Sequence, residues 1–395
     1  MTKISNESNW YPNHDGSILI TATGCATSLG LSSTEVFAAA RAGLTRISPV
    51  KSLNTAMCSG FGNESTDGPP LVKGHSITNV GMGYVDIGKA MVLGQAALID
   101  AMRRVSNRRD ARTGLLVLLS DRWLLDQSVT AEPHSQDRPD PEQLPSTQWR
   151  EKTQDFGMEL ARRVELDCIP ALTQTEYGCH ADLATLLVQA ATWLQNGDLD
   201  RCIVGGIDSF CEPQQLIACD TLGILKTDDQ PAGFIPGEAA CFLVLEKNPQ
   251  ISSAPATCIA GIEIGHEDSN LFSDRPPLGR ALASVVNRLA QGIDSHVDFL
   301  VGDLNGLERR ASDFGHALVR LPESLRSLPV LLPAISFGET GAAVGFLASG
   351  TVCHHFWRNR KLGDRAIVWL ASNSGLRSAI AFHRTISGAN EDGQK

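Results

Sequence analysis

The chain has 395 residues, of which 42% are hydrophobic and 20% charged, with 36 glycines and a formal net charge of −10. Length and balance fit a soluble globular protein of two domains or one large duplicated one, with ample core. The acidic total and the lack of any basic run argue against a nucleic-acid surface or an anionic membrane patch.

The opening residues, M-T-K-I-S-N-E-S-N-W-Y-P-N-H, have no apolar signal-peptide core, and no apolar run approaches a membrane span. A cytoplasmic location is therefore expected. Ten cysteines are scattered without a C-x-x-C pair, and His354 and His355 form the one adjacent histidine pair. Reduced thiols are expected, with no metal and no other cofactor.

A loose arm at 1–15 leads to a strand at 18–22 and the small-residue loop T-G-C-A-T-S-L-G. A helix at 33–42 follows, with Ser33 as its cap. Residues 48–83, rich in Gly, Ser, Thr and Pro, read as an irregular excursion. The run D-I-G-K-A-M-V-L-G-Q-A-A-L-I-D-A-M-R-R-V predicts a helix over 86–105, with a strand at 114–120 after it. The acidic, proline-rich stretch 130–146 reads as a solvated surface loop, and a second helix spans 153–164.

The stretch 175–209 organises the chain. Leu183, Leu186, Leu187, Ala190, Ala191 and Leu194 recur at helical spacing, predicting a helix over 182–195 and then a buried strand over 201–209. Gly178, Cys179, His180 and Asp182 fall at the helix start. Free backbone N–H groups and the positive end of the helix dipole favour a thiolate or an oxyanion there, so Cys179 is a candidate nucleophile. The other reading of Cys179 is a small buried residue.

A strand at 239–246 closes this part, and the second part repeats its order. Strands are expected at 257–265, 297–303, 365–371 and 377–383, and helices at 278–291, 308–321 and 342–357. A second elbow, S-F-G-E-T-G, precedes the last helix. Two halves with one alternation imply a topological duplication, residues 16–250 and 256–385, with the seam near 248–256. A shared site would join the Cys179 elbow, the loop after Asp303 and the Gly338 elbow at strand ends and helix starts.

With these residues in hand, the chain resembles the thiolase-fold β-ketoacyl-(acyl carrier protein) synthases. The match rests on G-D-L-D-R-C-I-V-G-G-I-D-S followed by G-F-I-P-G-E-A-A-C-F-L-V-L-E. T-A-T-G-C-A-T-S-L-G with A-R-A-G, and G-E-T-G-A-A-V-G, support it. The resemblance runs from about residue 18 to 382. It implies an α/β, thiolase-like fold of two duplicated βα halves in α-β-α-β-α layers. It further implies Claisen condensation: a cysteine at the first elbow takes the acyl group, two histidines or a His/Asn pair assist decarboxylation, and backbone amides hold the oxyanion. The implied partners are acyl-carrier-protein or coenzyme A thioesters and a second synthase chain, as a homodimer or heterodimer. In that dimer the strand at 201–204 would continue a sheet across a twofold axis.

The chain departs from the family at the chemistry. Counted back without a gap from Gly205 and Gly206, the family's cysteine position falls on His180, and a one-residue shift puts Cys179 there. Asn305 takes the place of the first histidine and Glu339 that of the second. Asp313, eight residues after Asn305, matches a structural aspartate of the pattern. Ala334 replaces a lysine, and the C-terminal loop reads A-S-N-S-G-L-R-S without the family's phenylalanine. An ionised Glu339 would repel an enolate and a thiolate unless burial keeps it protonated, or it could serve as a base with His180. The resemblance thus implies a synthase-like protein acting on acyl thioesters through Cys179, His180, Asn305 and Glu339. The alternative is an inactive partner subunit or carrier-binding protein; a cysteine hydrolase would need His180 or His316 beside the thiol.

Overall fold

The structure, a computed structural model, describes residues 8–12, 17–50, 72–105, 111–131, 140–247, 256–293, 296–358 and 362–385. Of the seam expected near 248–256, residues 248–255 lie outside the described residues, as do most of the arm and of the 48–83 excursion. The strands are β1 (Ser8–Trp10), β2 (Ile18–Thr27), β3 (Ser48–Pro49), β4 (Lys73–Gly74), β5 (Thr113–Ser120), β6 (Thr173–Gly178) and β7 (Arg201–Ser209). They continue with β8 (Glu238–Lys247), β9 (Ala256–His266), β10 (Phe299–Gly302), β11 (Val330–Leu331), β12 (Arg365–Ala371) and β13 (Leu376–Thr385).

Ten strands run in the order β11-β10-β12-β13-β9-β2-β8-β7-β5-β6, with β1 added to β9. From β6 inward, two parallel pairings are followed by two antiparallel ones, ending at β2; from β11 inward the same series ends at β9. The two series meet where Leu19 and Ile20 face Cys258 and Thr257. The fold is therefore α/β with duplicated topology, arranged in five layers.

Side-chain alternation builds those layers. On β5, Leu116 and Leu118 join a core with the helices Leu183–Asn196 and Val344–Trp357. Their neighbours Leu115, Val117 and Leu119 face the helices Asp86–Met102 and Phe156–Arg163 instead. The second half repeats this, with Leu300, Ile367 and Trp369 facing the helix Arg280–Gly292. A strand buried on both faces reads as one continuous apolar run, which is what T-G-L-L-V-L-L-S is. Helix Val344–Trp357 lies between the two halves of the sheet, and its sequence is apolar nearly all round.

The Gly205-Gly206 pair has a steric cause. A Cβ on Gly206 would lie 2.3 Å from the Ala342 carbonyl oxygen and 2.5 Å from the Phe346 ring. Only glycine lets the second elbow close onto β7. Gly206→Ala is expected to lose about 1–3 kcal/mol of stability, read from the denaturant midpoint; an unchanged midpoint would contradict this packing.

Four expectations change. The arm contributes β1, paired antiparallel to β9. The helix expected over 153–164 is Phe156–Arg163, and a further helix, Pro145–Thr153, starts at the end of the expected loop 130–146. The stretch before the elbow is strand β6, whose polar, half-buried residues belong to a sheet edge. Finally, residues 201–204 of β7 are paired on both sides, by β5 and β8, so they cannot extend the sheet across a twofold axis. The open edge on that side is β6. Among the described residues no helix is long and apolar enough to cross a membrane.

Candidate functional site: a paired histidine at the first elbow

Strand β6 ends at Gly178, and Cys179 caps a short turn, His180–Asp182, that leads into helix Leu183–Asn196. The cap is reciprocal. The Cys179 N–H donates to Asp182 Oδ2 at 2.9 Å while the Cys179 sulfur accepts from the Asp182 N–H. The C-terminal loop braces the turn, since the Ala181 N–H donates to Ser372 Oγ at 3.0 Å and Ser378 Oγ donates to the Ala181 carbonyl at 3.2 Å.

This bracing aims His180 into the interior, where it is fully buried. Its Nδ1 lies 2.8 Å from Asp303 Oδ2 and its Nε2 lies 2.7 Å from Glu339 Oε1. Asp303 Oδ2 also accepts from Arg310 Nη1 and from the Ala371 N–H, each at 2.8 Å. Glu339 Oε1 also accepts from the Gly341 N–H at 2.7 Å. Both carboxylate oxygens are thus already acceptors for fixed donors, so neither can carry a proton toward the ring. Both ring nitrogens must donate, and His180 is an imidazolium.

Asn305 completes the arrangement. Its Oδ1 accepts from the Leu307 N–H at 3.2 Å, which fixes the amide and turns Nδ2 toward Glu339 Oε2. Arg310 reaches on to Asn373 Oδ1 at 2.9 Å. Two cations, His180 and Arg310, face two anions, Asp303 and Glu339, and all four side chains are buried. A buried group of this kind holds only while its charges stay paired.

The titration behaviour follows. Burial alone would lower the His180 pKa, but the negative potential of the Cys179 sulfur and Glu339 and the bond to Asp303 outweigh it, holding the ring well above the ordinary histidine value. Burial pushes the Glu339 and Asp303 carboxyls up, yet His180 and Arg310 hold both below their usual values. Glu339 is therefore ionised, and the histidine has no lone pair with which to act as a base.

Cys179 interacts with the His180 side chain and also opens to a cavity of its own. It lines a cavity of about 20 Å³ with Asp121, Asp208, Phe210 and Gln215. Burial pushes its thiol up, and Asp121 and Glu339 add to this, against the opposing pull of His180. The neighbouring carboxyls Asp182 and Asp208 are themselves raised to about 6, chiefly by burial. A second cavity, about 10 Å³, lies between Asn305, Phe337 and Glu339. Each has room for roughly one water and none for an acyl chain. Iodoacetamide at pH 7.5 is expected to modify Cys179 more slowly than a free thiol; labelling at the free-thiol rate would contradict a raised thiol.

The structure thus brings His180, Asn305 and Glu339 into contact, with the Cys179 thiol beside the His180 ring. His316 is not part of it, its Nδ1 lying 2.9 Å from the Pro277 carbonyl. Sequence reasoning had Asp303 only as a strand end and missed Arg310. A signal existed: Arg310, Asp313 and Ala317 form the buried stripe of helix Glu308–Leu318, and charges on such a stripe imply a buried pair. Asp313 is held by Arg377 at 2.9 Å and accepts from the Gly279 N–H at 3.0 Å. Among the described residues no group of His, Cys, Asp and Glu is arranged to hold a metal ion.

Comparison with known proteins agrees with this architecture. The family model for the β-ketoacyl synthase N-terminal domain matches residues 184–250. No curated protein matches the sequence significantly. One similar solved structure is a type II polyketide synthase ketosynthase, AntDE, bound to a hexaketide and in complex with its acyl-carrier protein AntF. It is 15% identical, covers 94% of this chain and 99% of that one, and has a TM-score of 0.71. Another is the ishigamide ketosynthase/chain length factor, at 16% identity, 93% and 99% coverage and a TM-score of 0.63. A third is the oxazolomycin ketosynthase domain OzmH KS7 of Streptomyces albus JA3453, at 11% identity, 94% and 76% coverage and a TM-score of 0.71. At such identities these likenesses speak for the fold, and the matched segment adds the family's sequence pattern over the first elbow's helix and the strands that follow it. The chain thus has the thiolase-like α/β fold of these ketosynthase structures and carries the β-ketoacyl synthase N-terminal pattern over residues 184–250, with an atypical set of residues where the first and second elbows meet.

Proposed function

We propose that this chain is a ketosynthase-like subunit that does not condense acyl groups and instead pairs with a catalytic ketosynthase. The observation that carries this reading is the imidazolium of His180 fixed between Asp303 and Glu339. Condensation needs a nucleophile and neutral donors around an enolate. Here the place is held by a cation with no lone pair, beside an ionised carboxylate that would repel an enolate. Asn305 could donate to an enolate oxygen, but its amide is turned toward Glu339 instead.

Support for a partner comes from the sheet. The edge strand β6 leaves a row of backbone groups for a second chain to pair with, directly before the elbow. Relatives in the comparison include a ketosynthase/chain length factor and a ketosynthase in complex with its acyl-carrier protein. On this reading the two halves, 16–250 and 256–385, form one rigid scaffold working in the cytoplasm. The test is co-expression with a ketosynthase from the same source that carries the Cys-His-His set, followed by light scattering of the purified complex. A one-to-one heteromer is expected, and recovery of each chain only with its own kind would overturn the proposal.

A second reading, acyl transfer through Cys179, is favoured by the place of that thiol at a helix start beside a cavity. Incubation with octanoyl-coenzyme A and intact-mass analysis separates the two. No adduct is expected; an adduct that disappears in Cys179→Ala would establish the second reading instead.

A further inference from the structure

A cleft of about 440 Å³ lies apart from the His180 group, between the helices Trp123–Ala131, Pro145–Thr153 and Pro213–Thr221. Leu125, Val129 and Ile217 give it apolar walls, and the last two are 40% and 43% exposed. Arg122 lines both this cleft and the small cavity at Cys179, and so stands between them.

Arg122 is held in an unusual way. It is 93% buried, since only 7% of its surface is exposed, and its backbone is left-handed, with φ 57°. Its Nη2 pairs with Asp86 Oδ1 at 2.8 Å, and Asp86 is itself left-handed, with φ 55°. Two side-chain-bearing residues in that region, joined by an ion pair, persist only where the surroundings fix them, and such places cluster at binding sites. The guanidinium carbon lies 4.1 Å from the centroid of the Trp149 ring. Its Nε has no hydrogen-bond partner, nor has the Nε1 of Trp149, which is 94% buried, its exposure being 6%. A guanidinium that served packing alone would have its donors satisfied. Lys152, exposed on the same wall, adds a second cation, so the charges lining the cleft, Arg122, Lys152 and Asp86, sum to one positive.

We propose that this cleft is a binding site for a small organic carboxylate, its anionic end toward Arg122 and Lys152 and its apolar body against Leu125, Val129 and Ile217. An apolar chamber with a few convergent polar groups is the ordinary form of a small-molecule site, and a planar guanidinium is the group best matched to a carboxylate. The proposal goes beyond the partner role and does not depend on it, because no residue of the His180 group lines the cleft.

The test is isothermal titration of the purified chain with benzoate and hexanoate, set against their neutral counterparts benzamide and 1-hexanol. Each carboxylate is expected to bind about tenfold or more tighter than its neutral counterpart, and Arg122→Gln to lose about the same factor. Removing Arg122 also breaks the Asp86 pair, so two further variants of exposed residues guard against simple misfolding. Lys152→Ala is expected to weaken carboxylates by about threefold. Ile217→Glu, which brings a negative charge to the rim, is expected to weaken them more, and both should leave the thermal transition unchanged. Neutral compounds binding as well as the carboxylates, no heat from either carboxylate, or full binding by Ile217→Glu would each overturn the proposal.

Discussion

His180→Gln is expected to lower unfolding free energy by about 3–5 kcal/mol, the usual cost of removing one member of a buried charge group. Glutamine can still donate one hydrogen bond, so the loss comes from charge. Asp303 and Glu339 would be left with Arg310 as the one cation among them. The pH dependence has a definite sign. The folded His180 pKa is raised, so its contribution is full below the unfolded value near 6.5 and disappears as pH climbs through the folded value. Asp303 and Glu339 are lowered, so theirs is present above the ordinary carboxylate range and disappears as pH falls through their folded values. The wild type should therefore lose stability as pH rises from about 6.5 toward the folded His180 value. The variant lacks this titrating ring, so its deficit relative to the wild type should be larger at pH 5 than at pH 8. Urea titrations of both proteins at pH 5 and pH 8 read this directly, and equal differences at the two pH values would contradict it.

His180→Cys tests the chemistry of the place. Installing a thiol where the gapless count from Gly205 puts the nucleophile of the β-ketoacyl synthases is expected to support neither acylation by octanoyl-coenzyme A nor decarboxylation of a malonyl thioester. The new thiol would sit beside the carboxylates Asp303 and Glu339, which disfavour a thiolate, and each unit by which a thiol pKa rises removes about tenfold of its reactive form. Steric closure acts in the same direction, since the adjoining cavities are about 10 and 20 Å³. Intact-mass analysis over hours should show the unmodified chain. Full acylation of residue 180 would mean that the site is open and merely lacks a sulfur.

Most of the scaffold was legible in the sequence because burial writes itself as pattern. The run Leu115–Leu119, the helical spacing of Leu183 to Leu194 and the Gly205-Gly206 pair each have one structural solution, and the structure shows it. Polar elements were less legible. Strand β6, T-Q-T-E-Y-G, has little of the apolar content of a strand because an edge buries only part of each side chain. For the same reason the sequence points to β7 as a sheet edge, whereas the edge strand is β6.

At the site, the gapless count back from Gly205 placed His180 against Asn305 and Glu339, and all three are in contact. What the sequence could not supply was the protonation state. That depends on Arg310 and on backbone donors at Ala371 and Gly341, which occupy the carboxylate oxygens and are far apart in the chain. Glu339, read from sequence as a base or a protonated acid, is instead the anion that keeps His180 charged.

The central claim is therefore the charge on one ring, and ¹⁵N NMR of histidine-labelled protein, with His180→Gln to assign the signals, measures it. Both His180 nitrogens are expected at imidazolium shifts, with their protons in slow exchange, from pH 6 through pH 8. A ring that titrates near 6.5, or shows one protonated and one bare nitrogen at pH 7, would contradict the account.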